Sequence, residues 1–192
     1  MARCSIDALL LTTEPEVRYF SGFLTQFWQS PTRPWFLVVP AKGKPVAVIP
    51  TIGAQCMSRT WVTDIRTWSA PHPADDGVSL VAETLSELTD PTSRIGLMMG
   101  RETQLRMPLA DYEQLRSRLS AAEFVDATDI IRDLRMVKSE AEIDKIAYIC
   151  ASASDAFDAL PGLAAIGDAE VEVFRRFKME LLRCGADDCP YL

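Results

Sequence analysis

The sequence predicts an α/β fold in which a mixed central β-sheet is flanked by helices and followed by two further α-helices. Three observations lead to this fold class. Short apolar runs typical of buried strands alternate with segments of helical periodicity before Ser139. Two of these runs flank the turn-like segment 40–45, which predicts a hairpin and therefore a sheet that is not purely parallel. From Ser139 onward, strand signals are absent until the last residues.

The first predicted elements are a strand and a short helix. Residues 7–13 form an apolar run that suits a buried strand. The helix is expected to begin at Glu14, because Pro15 in the first turn is typical of a helix start, and Gly22 is placed to end it. Residues 23–34 are rich in aromatic residues and proline and are predicted to form a loop.

The alternation continues through the rest of this region. The predicted hairpin pairs residues 35–39 with residues 46–49. Thr51 is expected to cap a helix that runs to about Ser58. Apolar spacing then predicts, in order, a strand at 62–68, a helix from Val78 to Leu88, a strand at 94–98, a helix at 108–119 and a strand at 123–125.

The last part of the chain is predicted to be two helices. Ser139 and Glu142 have the spacing of a capping box at the start of the first helix, which Pro161 is expected to close. The second helix is expected to start near Gly167 and to stop at Gly185.

Both helices carry an apolar stripe that needs a partner. On the first helix the stripe consists of Ile143, Ile146, Ala147, Cys150, Ser154 and Phe157, and on the second of Val171, Phe174, Phe177 and Leu181. Two helices alone make a marginal unit, so we expect these stripes to face a sheet outside this chain. The domain boundary is placed near Lys138, which gives a first domain at residues 1–134 and a second at 135–192.

Composition restricts the class of function. The chain has 192 residues and a formal net charge of -7, which argues against a nucleic-acid-binding surface. Its apolar runs are too short to span a membrane, and its start lacks the apolar stretch of a secretory signal. Five scattered cysteines without a CxxC pair are typical of reduced thiols, so we expect a cytoplasmic protein.

Few residues suggest chemistry by themselves. The one histidine, His72, lies between two prolines in a predicted loop, and the neighbouring pair Asp75 and Asp76 is expected to be solvated. Cys184 and Cys189 are expected to be idle thiols rather than half of a metal site. We therefore predict no catalytic residue and no metal ligand in this chain.

Three stretches together resemble the creatinase, prolidase and aminopeptidase P family of pita-bread metallopeptidases. Near the start, Tyr19, Gly22 and Phe23 are similar to the family's Tyr-x-x-Gly-Phe signature after a strand and a helix. Residues 135–143 resemble its junction motif, an Arg-x-x-Lys-Ser followed by Glu-Ile. Residues 167–170 are similar to the Gly-x-x-Glu that opens the second helix of the catalytic domain.

The resemblance implies that residues 1–134 are the family's N-terminal domain and residues 135–192 are the start of a truncated pita-bread catalytic domain. It implies two divalent metal ions in the full-length parent, held by two Asp, one His and two Glu that would all lie beyond Leu192. The parent would be a homodimeric hydrolase of Xaa-Pro peptides or a related small C–N substrate. We expect this chain alone to be inactive and to hold no cofactor.

In some members of the family, the N-terminal domain reaches into the active site of the partner subunit. The resemblance therefore suggests that Arg33 binds a substrate carboxylate and that Trp28 forms an apolar wall of the site. In the simpler alternative, Trp28 and Trp35 pack on the sheet while Arg33 lies on the surface.

Two further functions remain open at this stage. The chain is alternatively a stand-alone or degenerate dimerisation or binding module without hydrolase activity. As a third alternative, it is a free-standing α/β enzyme that uses Cys56 or Cys150.

Overall fold

The computed structural model of this protein describes residues 1–30 and 33–189, apart from the side chain of Arg3. The chain divides into two compact units, Met1–Leu134 and Arg135–Leu192. Each unit has a hydrophobic core of its own.

The first unit is built around a β-sheet. Its strands and helices, in chain order, are β1 (Ala8–Leu11), α1 (Glu14–Ser21), β2 (Phe36–Pro40), β3 (Val46–Pro50), α2 (Ala54–Met57), β4 (Asp64–Trp68), α3 (Val78–Leu88), β5 (Arg94–Leu97), α4 (Leu109–Arg118), β6 (Glu123–Asp126) and α5 (Thr128–Met136). Short 3-10 helices lie at Ala2–Cys4, Gln26–Gln29 and Thr51–Gly53.

The sheet has the strand order β4-β3-β2-β1-β5-β6. Within it, β2 pairs antiparallel with both β1 and β3, whereas the pairs β1/β5, β3/β4 and β5/β6 are parallel. Among the described strands, β2 is therefore antiparallel to the other five. The carboxyl ends of those five strands meet at one edge of the sheet, together with the amino end of β2.

Both faces of the sheet are buried because helices cover each of them. Along β1, Leu9 and Leu11 belong to one core, whereas Ala8 and Leu10 belong to the other, as the two-residue period of a strand requires. The first core includes side chains of α1, α2 and α5. The second is covered by α3 and α4. The predicted fold class, a mixed central sheet flanked by helices and followed by two helices, is confirmed.

Three predictions of local structure need correction. The loop predicted at 23–34 contains a 3-10 helix, Gln26–Gln29. Thr51 does not cap a helix from outside: it is the first residue of a 3-10 turn, and its hydroxyl donates to the carbonyl oxygen of Trp68 at 2.8 Å. Helix α5 is not among the predicted elements, although Asp126 precedes it and its carboxylate accepts from the Thr128 N–H at 2.9 Å.

The second unit is a helical pair, α6 (Glu140–Leu163) and α7 (Glu170–Arg183). The predicted capping box is confirmed: the backbone N–H of Ser139 donates to the Glu142 carboxylate at 2.8 Å, and the Ser139 hydroxyl accepts from the Glu142 N–H at 3.4 Å. Pro161 does not close α6, which includes it and continues to Leu163. Pro161 has no N–H, so the i→i−4 hydrogen bond to the carbonyl oxygen of Phe157 is missing in this last part of the helix.

The small core of this unit lies on a face of α6 that the sequence does not indicate. Ser152 and Ala156, outside the predicted stripe, are buried with Phe177 and Leu181 of α7. The predicted stripe of α6 is exposed instead, with Ile143 at 53% and Phe157 at 59% of full exposure. The stripe of α7 is divided, because Phe177 and Leu181 are buried whereas the remaining members, Val171 and Phe174, are more than a third exposed.

Candidate functional site

The loop between α1 and β2 lies at the carboxyl edge of the sheet. Ligands of open α/β sheets commonly bind at this edge. Gly22 ends α1 with φ +76, a left-handed conformation that favours glycine, and its N–H donates to the Arg18 carbonyl oxygen at 2.7 Å. The chain then enters the Gln26–Gln29 helix, which begins when the Thr25 hydroxyl accepts from the Phe27 N–H at 3.3 Å. This local geometry brings the predicted site residue Trp28 back over the sheet.

An aromatic cluster forms the base of the loop. The ring of Trp35 lies 5.4 Å from Phe23, 5.8 Å from Trp28 and 6.2 Å from Phe27, measured between ring centroids. Trp28 is only 8% exposed, and its indole N–H has no hydrogen-bond partner among the described residues. Trp28 therefore packs mainly as a core residue within this unit, where it supports the loop.

Arg106 holds the loop from the other side, although nothing in the sequence singles it out. Its guanidinium lies 5.1 Å from the centroid of the Trp28 ring, a cation–π contact. The same guanidinium donates from Nη1 to the Arg33 carbonyl oxygen at 3.0 Å and from Nη2 to the Ser30 carbonyl oxygen. Its backbone N–H donates to the hydroxyl of Thr12, at the carboxyl end of β1, at 3.1 Å.

The charge of Arg106 is partly desolvated in this position. Burial lowers the pKa of its guanidinium, and the carboxylate of Glu14 opposes that shift. An arginine remains protonated in proteins despite such changes. The two carbonyl oxygens and the indole face thus compensate for the water that the guanidinium loses.

Arg33, the second predicted site residue, lies at the rim. Its backbone has φ +64, a conformation that is uncommon for a residue with a side chain. It lines a cleft with Phe27, Ser30, Trp35 and Ile52. The cleft has a volume of only about 10 Å³, so it does not enclose a substrate by itself. Arg33 and Trp28 thus belong to one loop, and Arg106 contacts this loop at Trp28, Ser30 and Arg33.

The carboxylates near His72 have a structural role. Asp75 accepts from the Ser79 N–H at 3.0 Å and from the Ser79 hydroxyl, at the first turn of α3. Burial acts to raise the pKa of Asp75, but the hydrogen bonds from Ser79 outweigh it and leave that pKa lowered. The backbone N–H of His72 donates to Asp76 at 3.3 Å. These contacts fix the turn before α3.

The remaining candidates from the sequence form no catalytic arrangement. Cys56 and Cys150 are both exposed, and the Cys56 thiol donates to the Leu24 carbonyl oxygen at 3.5 Å. In the residues 1–30 and 33–189, no group of three or more His, Cys, Asp or Glu is arranged to hold a metal ion. No helix in this same part of the chain is long and apolar enough to cross a membrane.

Comparison with known proteins identifies the family. The sequence model described as Creatinase/Prolidase N-terminal domain matches residues 1–137, which is more than half of the chain. The chain therefore belongs to the creatinase/prolidase N-terminal domain family. The resemblance inferred from the three sequence stretches is confirmed.

Individual relatives extend the likeness beyond that domain. An uncharacterized hydrolase/peptidase, y4tL, of Sinorhizobium fredii is 26% identical over 178 residues, which are 85% of this chain and 43% of that protein. The X-Pro aminopeptidase from Thermotoga maritima matches with a TM-score of 0.75 and 20% identity over 97% of this chain and 48% of its own. The dipeptidase PepE from Mycobacterium ulcerans matches with a TM-score of 0.70 and 25% identity, over 97% of this chain and 47% of its own. The chain thus spans about half the length of these relatives.

Proposed function

We propose that this chain is the non-catalytic N-terminal portion of a metallohydrolase similar to Xaa-Pro dipeptidases, aminopeptidases or creatinase. The observation that carries the proposal is the extent of the match. The family model ends at residue 137, yet the solved X-Pro aminopeptidase is matched over 97% of this chain, so the likeness includes the helices that follow the first unit. The solved relatives include an X-Pro aminopeptidase and a dipeptidase, and we propose that the full-length parent of this chain also acts on a peptide substrate.

The second unit is proposed to be the beginning of the pita-bread catalytic domain. Its exposed apolar side chains support this assignment: Ile143 and Ile146 are about half exposed, and Phe157 is 59% exposed although its ring lies 4.8 Å from that of Phe177 in α7. In the proposal, the sheet of the catalytic domain covers them. Two divalent metal ions, which activate water for amide hydrolysis, would be bound by residues outside this chain.

The first unit is proposed to serve dimerisation and substrate access. Arg33 would extend from its loop to the active site of the partner subunit and bind a substrate carboxylate with its planar guanidinium. Trp28 would support this contact from below. Its position between Trp35 and Arg106 keeps the loop close to the sheet, and the rim position of Arg33 leaves its side chain partly exposed.

The test uses the full-length parent, supplied with divalent metal and a Xaa-Pro dipeptide. Arg33→Ala is expected to raise KM with little change in kcat or in the melting temperature, because the lost contact binds the ground state and transition state alike. Arg118→Ala, which removes an exposed arginine from the far helix layer, is the matched control and should leave KM unchanged. Equal KM values for Arg33→Ala and the control would refute the role of Arg33.

The same assay separates the alternative function. A folded full-length parent that hydrolyses no Xaa-Pro peptide with metal present would favour a stand-alone or degenerate dimerisation or binding module. The closed core of the first unit, with helices on both faces of its sheet, favours this alternative as the second candidate. Sedimentation of the full-length parent tests dimerisation, which both functions require, and a monomer at all concentrations would count against both.

A further inference from the structure

Arg106 occupies a position that a surface arginine in a loop does not normally have. Its backbone is tied to β1 through Thr12, and its guanidinium contacts the loop at Ser30, Arg33 and Trp28. We propose that Arg106 is a positioning residue that fixes the backbone of Ser30 and of Arg33 and thereby sets where the Arg33 side chain leaves the loop. The consequence for substrate rests on the proposed function of Arg33.

The first argument is the geometry of the guanidinium. Arginine presents five N–H donors in a rigid planar fork, so that one side chain reaches two carbonyl oxygens while its face lies on an aromatic ring. Arg106 uses both modes at once, with carbonyl oxygens on either side of positions 31 and 32 and with the Trp28 indole beneath. A lysine ammonium carries the same charge but has no planar face and no fork.

The second argument is the backbone of Arg33. A non-glycine residue at φ +64 persists only where its surroundings determine that conformation. The carbonyl group of this same residue accepts the 3.0 Å hydrogen bond from Arg106. Pro34 and Trp35, which follow, are buried. The unusual conformation is thus held by a charged donor on one side and by the sheet on the other.

The third argument is that Thr12, which accepts the hydrogen bond from the Arg106 backbone, lies in a rigid part of the fold. Thr12 is 3% exposed and directly follows β1, the strand that pairs with both β2 and β5. The hydrogen bond from the Arg106 backbone to this hydroxyl fixes the position of Arg106 relative to the centre of the sheet. The loop is therefore positioned by the sheet through Arg106 as well as through its own ends.

The experiment compares Arg106→Lys and Arg106→Met with the control Arg118→Met in the full-length parent. The first readout is amide hydrogen exchange at Ser30, whose N–H donates to the Phe27 carbonyl oxygen at 3.1 Å. Exchange is expected to rise by at least about tenfold in both Arg106 variants and to stay unchanged in the control, since the loss of even one charged hydrogen bond is worth about that factor. If Arg106→Met does not fold, the exchange rate at Ser30 in Arg106→Lys alone tests the inference.

The second readout is the split between KM and kcat for a Xaa-Pro dipeptide. Arg106→Lys is expected to raise KM and leave kcat unchanged, which a general loss of stability would not do. Unchanged exchange at Ser30 in both Arg106 variants would overturn the inference, even where Arg33→Ala raises KM. Faster exchange with KM unchanged in both Arg106→Lys and Arg33→Ala would uphold the positioning of the loop and reject its role with substrate.

Discussion

Gly53 lies directly against the indole of Trp35, so that a Cβ at Gly53 would fall inside van der Waals contact of the ring carbons Cζ3 and Cη2. Trp35 is 2% exposed and forms the centre of the aromatic cluster beneath the candidate loop. The last residue of the 3-10 turn after β3 thus determines how deeply this indole is buried.

Gly53→Ala is accordingly expected to lower the free energy of unfolding by about 1–3 kcal/mol, the usual cost of overpacking a core. Chemical denaturation of the chain measures it. Gly162→Ala is the matched control, because a Cβ there meets nothing within 4 Å and lies inside α6. That control should be neutral or should stabilise by up to about 1 kcal/mol. Equal destabilisation by both variants would contradict the close contact with Trp35.

The capping box of α6 provides a second prediction. Ser139→Ala removes the hydroxyl that accepts from the Glu142 N–H, and we expect a loss of about 1 kcal/mol in the stability of the helical pair. Amide exchange in the first turn of α6 measures this loss. Ser154→Ala, in the exposed interior of the same helix, removes a hydroxyl bonded only to the Cys150 carbonyl oxygen and should have little effect. A larger effect at Ser154 than at Ser139 would be inconsistent with the cap.

Asp126 makes stability depend on pH at the end of β6. Hydrogen bonds from the Thr128 hydroxyl and backbone, and one from the Met99 N–H, hold the pKa of Asp126 below its ordinary value of 3.8 despite partial desolvation. A carboxylate with a lowered folded-state pKa stabilises the protein above its unfolded pKa, and this contribution is lost as the pH falls through the folded value.

Asp126→Asn should therefore be less stable than the wild type at neutral pH. The difference in melting temperature should shrink as the pH falls below about 4. Thermal unfolding at a series of pH values measures this difference. Glu113→Gln, which alters an exposed carboxylate in α4, serves as the control. A difference between Asp126→Asn and wild type that is constant from neutral pH to below about 3 would exclude the carboxylate as its cause.

The exposed stripe of α6 leads to a prediction about the full-length parent. Ile146 is 47% exposed, so Ile146→Asp should change the stability of this chain by less than about 0.5 kcal/mol. In the full-length parent the same substitution should cost several kcal/mol, because a carboxylate would be buried in the proposed interface. Ile146→Val is the control at the same position and should be tolerated in both. A full-length parent that tolerates Ile146→Asp would show that this stripe remains uncovered.

The sequence predicts those elements of the fold whose signals are local. Gly22 ends α1 and Ser139 begins α6, because each signal depends on a few neighbouring residues. The sequence also predicts the pairing of β2 with β3, because a short turn joins these two strands. Helix α5 is not among the predicted elements: Ile130, Ile131 and Leu134 have helical spacing, but this signal extends over only nine residues.

The sequence alone predicts only part of the candidate site, for a physical reason. Trp28 and Arg33 stand close together in an aromatic loop, and the family resemblance drew attention to them. Arg106 is 73 positions from Arg33, and only the fold brings their atoms within 3.0 Å. The faces of α6 were also misjudged, because Ser152 and Ala156 become buried through the packing of α7 and not through their own hydrophobicity.

The reversed direction of β2 has a consequence for how the candidate loop varies among relatives. Since β2 enters the sheet at the edge where β1 leaves it, the segment between Leu11 and Phe36 begins and ends on the same rim. Lengthening such a segment costs only about 0.6 kcal/mol for each doubling and leaves the pairing of Leu11 with Leu37 unchanged. The exposed positions of this segment are therefore free to change in number and sequence, and so to alter what they contact, while the buried aromatic residues and the register of the sheet stay constant.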